Sequence, residues 1–245
     1  MERAEILGVQ VSVTDMEKAY QAIAANLEAW RGRYVTACNV HATVTAQDDP
    51  ELMAAENGAA LTLADGKPLA LAQRKRGFPE AGHVPITALM ERILTESAKH
   101  GWRHYFYGST EKTQTRLMEK LKETYPGAVA VGSEPSVFRP LTEEENQALA
   151  ERVNAAKPDF LWVGLGAPRQ ELFMAKNAGA IQALMLGVGG GFDVLSGNVK
   201  RAPAWMQKLC LEWLYRLLQE PKRLFKRYLI TNTKFLYLLF RERGA

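Results

Sequence analysis

Residues 5–13 alternate apolar and polar side chains with the two-residue period of a strand, after which the period changes. Thr14 with Glu17 has the spacing of a capping box. Val13, Met16, Tyr20, Ile23, Leu27 and Trp30 then fall at intervals of three and four, which predicts an amphipathic helix. Residues 33–37 read as a short strand, 39–47 as a turn entering a helix, 61–64 as an apolar strand, and 77–86, punctuated by glycine and proline, as a loop. The second half is more regular. Leu89, Met90, Ile93 and Leu94 mark a helix, 104–107 a strand, Leu117 and Leu121 another helix, and 128–131 a strand. Thr142 with Glu145 caps a helix that Pro158 stops, and strands follow at 159–163 and 181–186. Strands alternating with helices predict an α/β fold with a doubly wound, mostly parallel sheet. Such sheets bind ligands where strands end and helices begin, which selects the loops 39–41, 65–66, 164–171 and 187–193.

Composition narrows the class. With 245 residues, 47% of them hydrophobic and 24% charged, collagen-like, low-complexity and disordered chains are excluded. Cys38 and Cys210 sit in unrelated contexts, so neither a disulfide framework nor a zinc site is expected, and a reducing cytosol is the default. The first residues lack the pattern of a secretory signal. The longest charge-free run, 177–192, has 16 residues with five glycines. A spanning helix needs roughly 20 apolar residues, so the chain is not expected to cross a membrane.

Charge divides the chain. Residues 1–198 carry 20 Lys/Arg against 24 Asp/Glu, and residues 199–245 carry 11 against 3. We therefore expect a sheet domain over 1–198 and a basic helical appendage over 199–245. In the appendage Trp205, Met206, Leu209, Trp213, Leu217 and Leu218 suit a packing helix, which Pro221 interrupts. Further on, Leu224, Phe225, Tyr228, Leu229, Phe235, Leu236, Leu239 and Phe240 are interleaved with Lys222, Arg223, Lys226, Arg227, Lys234, Arg241 and Arg243. That mixture fits a helix lying on an anionic membrane surface, with Lys222, Phe225, Arg227 and Lys234 as contacts. A helix packed on the domain, or on a second copy in a homo-oligomer, is the alternative. Nucleic acid is not expected, because the remaining residues are net acidic.

Candidate chemistry sits in the selected loops. Asp65 reads either as the cap of a helix starting near Lys67 and Pro68 or as a general base at the crevice edge. The segment Gly164-Leu165-Gly166-Ala167-Pro168-Arg169-Gln170-Glu171 is a glycine turn feeding a helix, and reads as a tight turn or as a diphosphate cradle. The run Gly187 to Asp193 repeats the theme, its glycines favouring close approach of a ligand. No metal-ligand spacing is present, so neither metal nor cofactor is expected, and the charge of a departing diphosphate falls to amides and to Arg or Lys.

Taken in order, Asn39, Ala64-Asp65-Gly66, Tyr107-Gly108-Ser109, the 164–171 segment, the 187–193 run, Lys200-Arg201-Ala202-Pro203 and Leu211-Glu212-Trp213-Leu214-Tyr215-Arg216 resemble the WecG/TagA/CpsF family of bacterial glycosyltransferases. The resemblance covers nearly the whole chain. It implies a Rossmann-like fold with a membrane-targeting C-terminal appendage. It also implies inverting transfer of a sugar from a UDP-sugar donor to a polyprenyl-diphosphate-linked acceptor at the cytoplasmic membrane face, in cell-surface glycopolymer synthesis. In the teichoic-acid branch the donor is UDP-N-acetylmannosamine and the acceptor carries N-acetylglucosamine. By the same resemblance Asp65 is the base, and Gln170 and Asp193 lie in the nucleotide-sugar site. Arg216, Arg223 and Lys226 close over the diphosphate. Thr36, Asn39, His83, Gly108, Gly164, Gly166, Glu171 and Gly189 complete the expected substrate site. The family's Arg-Val-x-Gly-x-Asp-Leu segment is here His83-Val84-Pro85-Ile86-Thr87-Ala88-Leu89, and its Thr-Pro-Asn is Ala37-Cys38-Asn39 with a threonine displaced to Thr36. An imidazole does not replace a permanent bidentate cation, so either His83 has a changed role or the donor or acceptor differs. The rival readings are a UDP-sugar-binding protein without catalysis and, with less support since GxGxxG is missing, a dinucleotide oxidoreductase.

Overall fold

The computed structural model describes residues 1–200, 202, 203, 205, 206 and 211–243, without the side chains of Glu212, Arg216, Lys222, Arg223, Leu224, Arg227 and Arg243. The chain opens with β1 (Arg3–Ile6), β2 (Val9–Ser12) and α1 (Met16–Asn26), followed by β3 (Tyr34–Cys38), α2 (Val40–Thr45), α3 (Pro50–Gly58), β4 (Leu61–Ala64) and α4 (Lys67–Lys75). Next come α5 (Ile86–His100), β5 (Arg103–Gly108), α6 (Glu111–Thr124), β6 (Val129–Glu134), α7 (Glu143–Ala156), β7 (Phe160–Gly164) and α8 (Arg169–Lys176). The remainder is β8 (Leu184–Gly187), α9 (Gly191–Leu195), α10 (Glu212–Gln219) and α11 (Pro221–Arg243).

Six strands form a parallel sheet in the order β4-β3-β8-β7-β5-β6, with helices on both faces, and β1 pairs with β2 as a separate antiparallel hairpin. Alternation along β3 shows why both faces are covered. Val35 and Ala37 join a core with α1, α5 and Phe192, whereas Tyr34 joins the opposite core with Leu149 and Val153 of α7 and Met174 of α8.

Two local expectations are corrected. The alternating stretch 5–13 is a hairpin, because Leu7 and Gly8 both take positive φ, 51° and 78°, as a two-residue turn between twisted strands requires. Helix α1 is capped one residue later than expected, by Asp15, whose carboxylate accepts from Lys18 N–H at 2.8 Å. The break expected at Pro221 does form: α10 ends at Gln219 and Pro221 begins α11, where its missing N–H costs nothing, so Arg216 and Arg223 belong to different helices. The capping box of Thr142 and Glu145 forms as expected.

Helix α11 lies against α2, burying Thr231 and Phe235 beside Val40 and Val44. Lys234 pairs with Asp48 at 2.5 Å, Arg76 with Glu242, and the Trp213 ring of α10 meets Tyr228 edge-on. Phe225, Leu229, Leu236 and Phe240, which fall on one side of α11 at helical spacing, stay exposed. Among the described residues no helix is long and apolar enough to cross a membrane.

In the core, Trp162 Nε1–H donates to His104 Nδ1 at 3.1 Å, which leaves the imidazole proton on Nε2 for the Ser97 hydroxyl at 2.8 Å. Burial holds the His104 pKa down at about 3. Between the ordinary value of 6.5 and about 3 the unfolded chain therefore binds a proton that the folded chain refuses, so stability falls as pH drops through that window. His104→Phe should cost about 1–3 kcal/mol at neutral pH by orphaning the Trp162 N–H and taking one of its two partners from Ser97, which keeps its bond to Ile93 O. Urea titrations at neutral pH and at about pH 5 should show a smaller acid loss in this variant than in the wild type.

Candidate functional site

Register brings the selected loops to one level. Cys38 is the partner of Ala64, Gly108 of Gly164, and Val163 of Gly187, so β3, β4, β5, β7 and β8 finish together at one edge. There Asn39 caps α2, its side-chain oxygen accepting from Ala42 N–H at 3.2 Å. A Cβ on Gly66 would stand 3.7 Å from that of Asn39, so the first two loops touch. Asp65 N–H donates to Cys38 O, and Asp65 Oδ1 accepts from Ile86 N–H at 2.9 Å, the first amide of α5. Asp65 does cap a helix, but α5 from across the loop, while α4 has Gly66 at its N-cap and no side-chain cap. Val84 N–H donates to Ala64 O at 2.9 Å, which holds the His83 segment beside Asp65.

Two glycine segments close the other side of the crevice. Gly108, at φ 124°, lies so near β7 that a Cβ would stand 2.5 Å from Gly164 O, and a Cβ on Gly164 would stand 2.5 Å from the Phe192 ring. Gln170 joins the loops: its Oε1 accepts from Gly166 N–H at 3.2 Å and from Gly189 N–H at 2.8 Å, and its Nε2 donates to Glu171 Oε1 at 2.8 Å. Asp193 Oδ1 faces Thr113 Oγ1 at 3.5 Å and Asn198 Nδ2 at 3.4 Å, and Arg116 donates to Asn198 Oδ1 at 2.7 Å. Gly191 comes so close to α5 that a Cβ there would be 3.3 Å from the Thr87 methyl. The glycine run and the His83 segment thus share one wall.

The expected site residues separate into two layers. Asn39, Asp65, His83, Gly166, Gly189 and Asp193 are half-buried at the crevice, whereas Thr36, Gly108, Gly164, Gln170 and Glu171 are buried beneath it. Thr36 shares its face of β3 with Cys38, and beside them lies Glu56 of α3, which sequence reasoning missed. Burial first, then the neighbouring Glu171, pushes the Glu56 carboxyl up to about 8, while Thr36 and Cys38 act in the opposite sense. Burial raises Glu171 as well, and raises the Cys38 thiol well above its ordinary value. No sequence signal marks Glu56, because an acid inside a helix at a spacing of its own looks like any solvated residue; Thr113 and Asn198 are equally silent. Among the described residues no three His, Cys, Asp or Glu are grouped to hold a metal ion.

Of the appendage candidates, Phe225 and Lys226 are exposed and Lys234 makes its ion pair with Asp48. The side chains of Arg216, Lys222, Arg223 and Arg227 lie outside the described residues.

Residues 4–245 match the family described as the glycosyl transferase WecG/TagA/CpsF family. The match spans nearly the whole chain, and the chain belongs to this family. A glycosyltransferase takes a sugar from a donor and passes it to an acceptor, and the crevice described above is the place in this fold where loops from both halves of the sheet converge.

The glycine contacts generate a graded prediction. Gly108→Ala should lose more than about 3 kcal/mol, since both its φ and the Gly164 carbonyl oppose a Cβ. Gly166→Ala, at φ 76° but with open space around the new atom, should lose about 1–2 kcal/mol and remain folded. Thermal denaturation of the two purified proteins checks the order.

Proposed function

We propose that this member of the WecG/TagA/CpsF glycosyltransferases is an inverting enzyme. In this reading it transfers N-acetylmannosamine from its UDP-sugar to a polyprenyl-diphosphate-linked N-acetylglucosamine, while bound peripherally at the cytoplasmic face of the membrane during teichoic acid or related glycopolymer synthesis. The observation that carries the reading is the convergence of a half-buried carboxylate, Asp65, with two glycine loops at the carboxyl edge of a parallel sheet. A carboxylate there accepts the proton of an acceptor hydroxyl, and that oxygen attacks the anomeric carbon as the bond to UDP breaks on the opposite face. Inversion follows from the single displacement.

The charge that develops on the diphosphate needs donors. Backbone amides of the glycine loops supply some, and we assign Arg216, Arg223 and Lys226 of the appendage to the rest. Asn39, His83, Gly166, Gly189 and Asp193 would shape the donor site, with Thr36, Gly108, Gly164, Gln170 and Glu171 beneath them. His83 puts an imidazole where the family's segment has a permanent cation, so in this reading its role beside the donor is a changed one.

Recruitment is assigned to α11, with residues 1–198 as the nucleotide-sugar domain and 199–245 as the appendage. The exposed apolar side chains of α11, interleaved with cations, suit burial among lipid headgroups. Lys222, Phe225 and Arg227 would make that contact, with Lys234 joining it if its pair with Asp48 opens.

Two experiments test the reading. Asp65→Asn keeps an oxygen able to accept from Ile86 N–H, so it should fold and bind UDP within a few-fold of wild type while acceptor-dependent UDP release falls by about 100-fold or more. Undiminished release removes Asp65 as the base. Replacing Phe225, Leu229, Leu236 and Phe240 together by serine removes only exposed side chains, so the protein should stay folded yet no longer sediment with anionic liposomes. Sedimentation equal to wild type removes the membrane role of α11.

A further inference from the structure

Past the glycine turn after β7, the carboxyl edge of the sheet continues over β5 and β6. The loops there are bonded in series. Ser109 N–H donates to Gly164 O at 3.1 Å, and Ser136 N–H donates to Ser109 O at 2.9 Å. The guanidinium of Arg169, at the start of α8, reaches Leu165 O at 3.4 Å and Phe138 O at 3.5 Å. It therefore bridges the loops after β7 and β6 and brings Phe138 beside the glycine turn.

Nothing in the fold calls for a phenylalanine at this point. The Phe138 backbone takes φ 57°, in the left-handed region where a bulky side chain is strained and asparagine or glycine is at ease. Its side chain is 57% exposed, so burial repays little of that strain. No other phenylalanine, tyrosine or tryptophan of residues 1–198 is left exposed. The conformation is nonetheless pinned on both sides, by Phe138 N–H donating to Ser136 Oγ at 3.0 Å and by the arginine at its carbonyl. An exposed aromatic ring held in place at a cost to stability suits a ligand that stacks on it.

Strand order says which ligand. With the reacting sugar beside Asp65 after β4, and the diphosphate at the glycine loops after β8 and β7, the rest of a nucleotide-sugar runs on toward β6. From β7 to β6 is two strand spacings, about 10 Å, which a ribose and its base span. We propose that Phe138 and Arg169 form the nucleoside end of the donor site. The ring stacks on the base, and the guanidinium, which keeps donors beyond its two backbone contacts, bonds the adjoining phosphate. The identity of the ligand rests on the function proposed above; the strain and exposure of Phe138 do not. A stacked ring meets the face common to every base and reads no hydrogen-bonding edge, so this subsite holds the nucleotide without selecting uracil.

The test is calorimetric titration of wild type, Phe138→Asn, Phe138→Trp and Arg169→Met with UDP, CDP and inorganic diphosphate, alongside thermal denaturation and liposome sedimentation of each protein. Phe138→Asn should melt at or above the wild-type temperature, because asparagine accepts a positive φ. It should bind UDP and CDP about tenfold more weakly, by the same factor for both, and inorganic diphosphate as wild type does. Phe138→Trp should keep or tighten nucleotide binding. Arg169→Met should weaken UDP and inorganic diphosphate alike.

UDP affinity in Phe138→Asn equal to wild type overturns the subsite and leaves the donor reading in place. A marked fall in the melting temperature of that variant gives the ring a packing role and overturns the subsite as well. Loss of liposome sedimentation with nucleotide binding intact makes the ring a lipid contact, with the same result. If wild type binds CDP but not UDP, with the same dependence on the ring, the subsite stands and the UDP donor falls. Binding of neither nucleotide to wild type overturns both.

Discussion

At the carboxyl edge of the sheet, backbone meets backbone where other edges place side chains between. Gly108 and Gly164 are register partners; the Gly164 backbone excludes a Cβ on Gly108, and Phe192 fills the space that a side chain on Gly164 would need. This contact sets the level at which β5 and β7 end, and through β8 it sets where the 187–193 run begins. The missing side chains let the two strands close up at this edge, with both glycines buried. Order and tightness at this edge are therefore one requirement, and the glycines serve both.

Beneath the glycine loops lies a polar layer that an α/β core rarely holds. Glu56, Glu171, Gln170, Thr36 and Thr43 are all buried; burial keeps both acids toward their neutral forms, and Glu171 adds to that effect on Glu56. Burying acids in this way costs stability, and a hydrophobic layer of equal volume would be the more stable solution. What the polar layer provides is direction: an amide with a defined donor end and acceptor end joins two loops at fixed spacing, where apolar contacts would hold them only at an average distance.

Helix α11 connects this edge to the molecule's surroundings. It buries Thr231 and Phe235 against α2, the helix whose first cap is Asn39, and shows a different apolar side to the outside. One helix thus reports to the crevice on one side and presents an exposed aromatic and aliphatic strip on another. Its ion pairs, Lys234 with Asp48 and Arg76 with Glu242, lie on exposed or half-exposed side chains, so they are screened and add little to the packing.

The sequence by itself determined the fold class, the place of most strands and helices, though not α3 or α9, and the loops at the carboxyl edge of the sheet, because strand and helix periods, caps and glycine runs are local properties of neighbouring residues. Strand β4, the Thr142 box and the loop expected over 77–86, which ends one residue earlier where Ile86 begins α5, were legible in that way. The hairpin turn at Leu7 and Gly8 was not, since a single glycine inside an alternating run leaves the alternation intact. Tertiary structure alone decided which carboxylate faces which amide. Asp65 caps a helix that starts 21 residues later, Gln170 answers to a glycine 19 residues away, and Glu56 comes under the charge of Glu171 because α3 packs on α8. Partners of that kind are chosen by strand order and register, which no spacing along one chain encodes, and the burial that sets their protonation exists only once the sheet has closed over them.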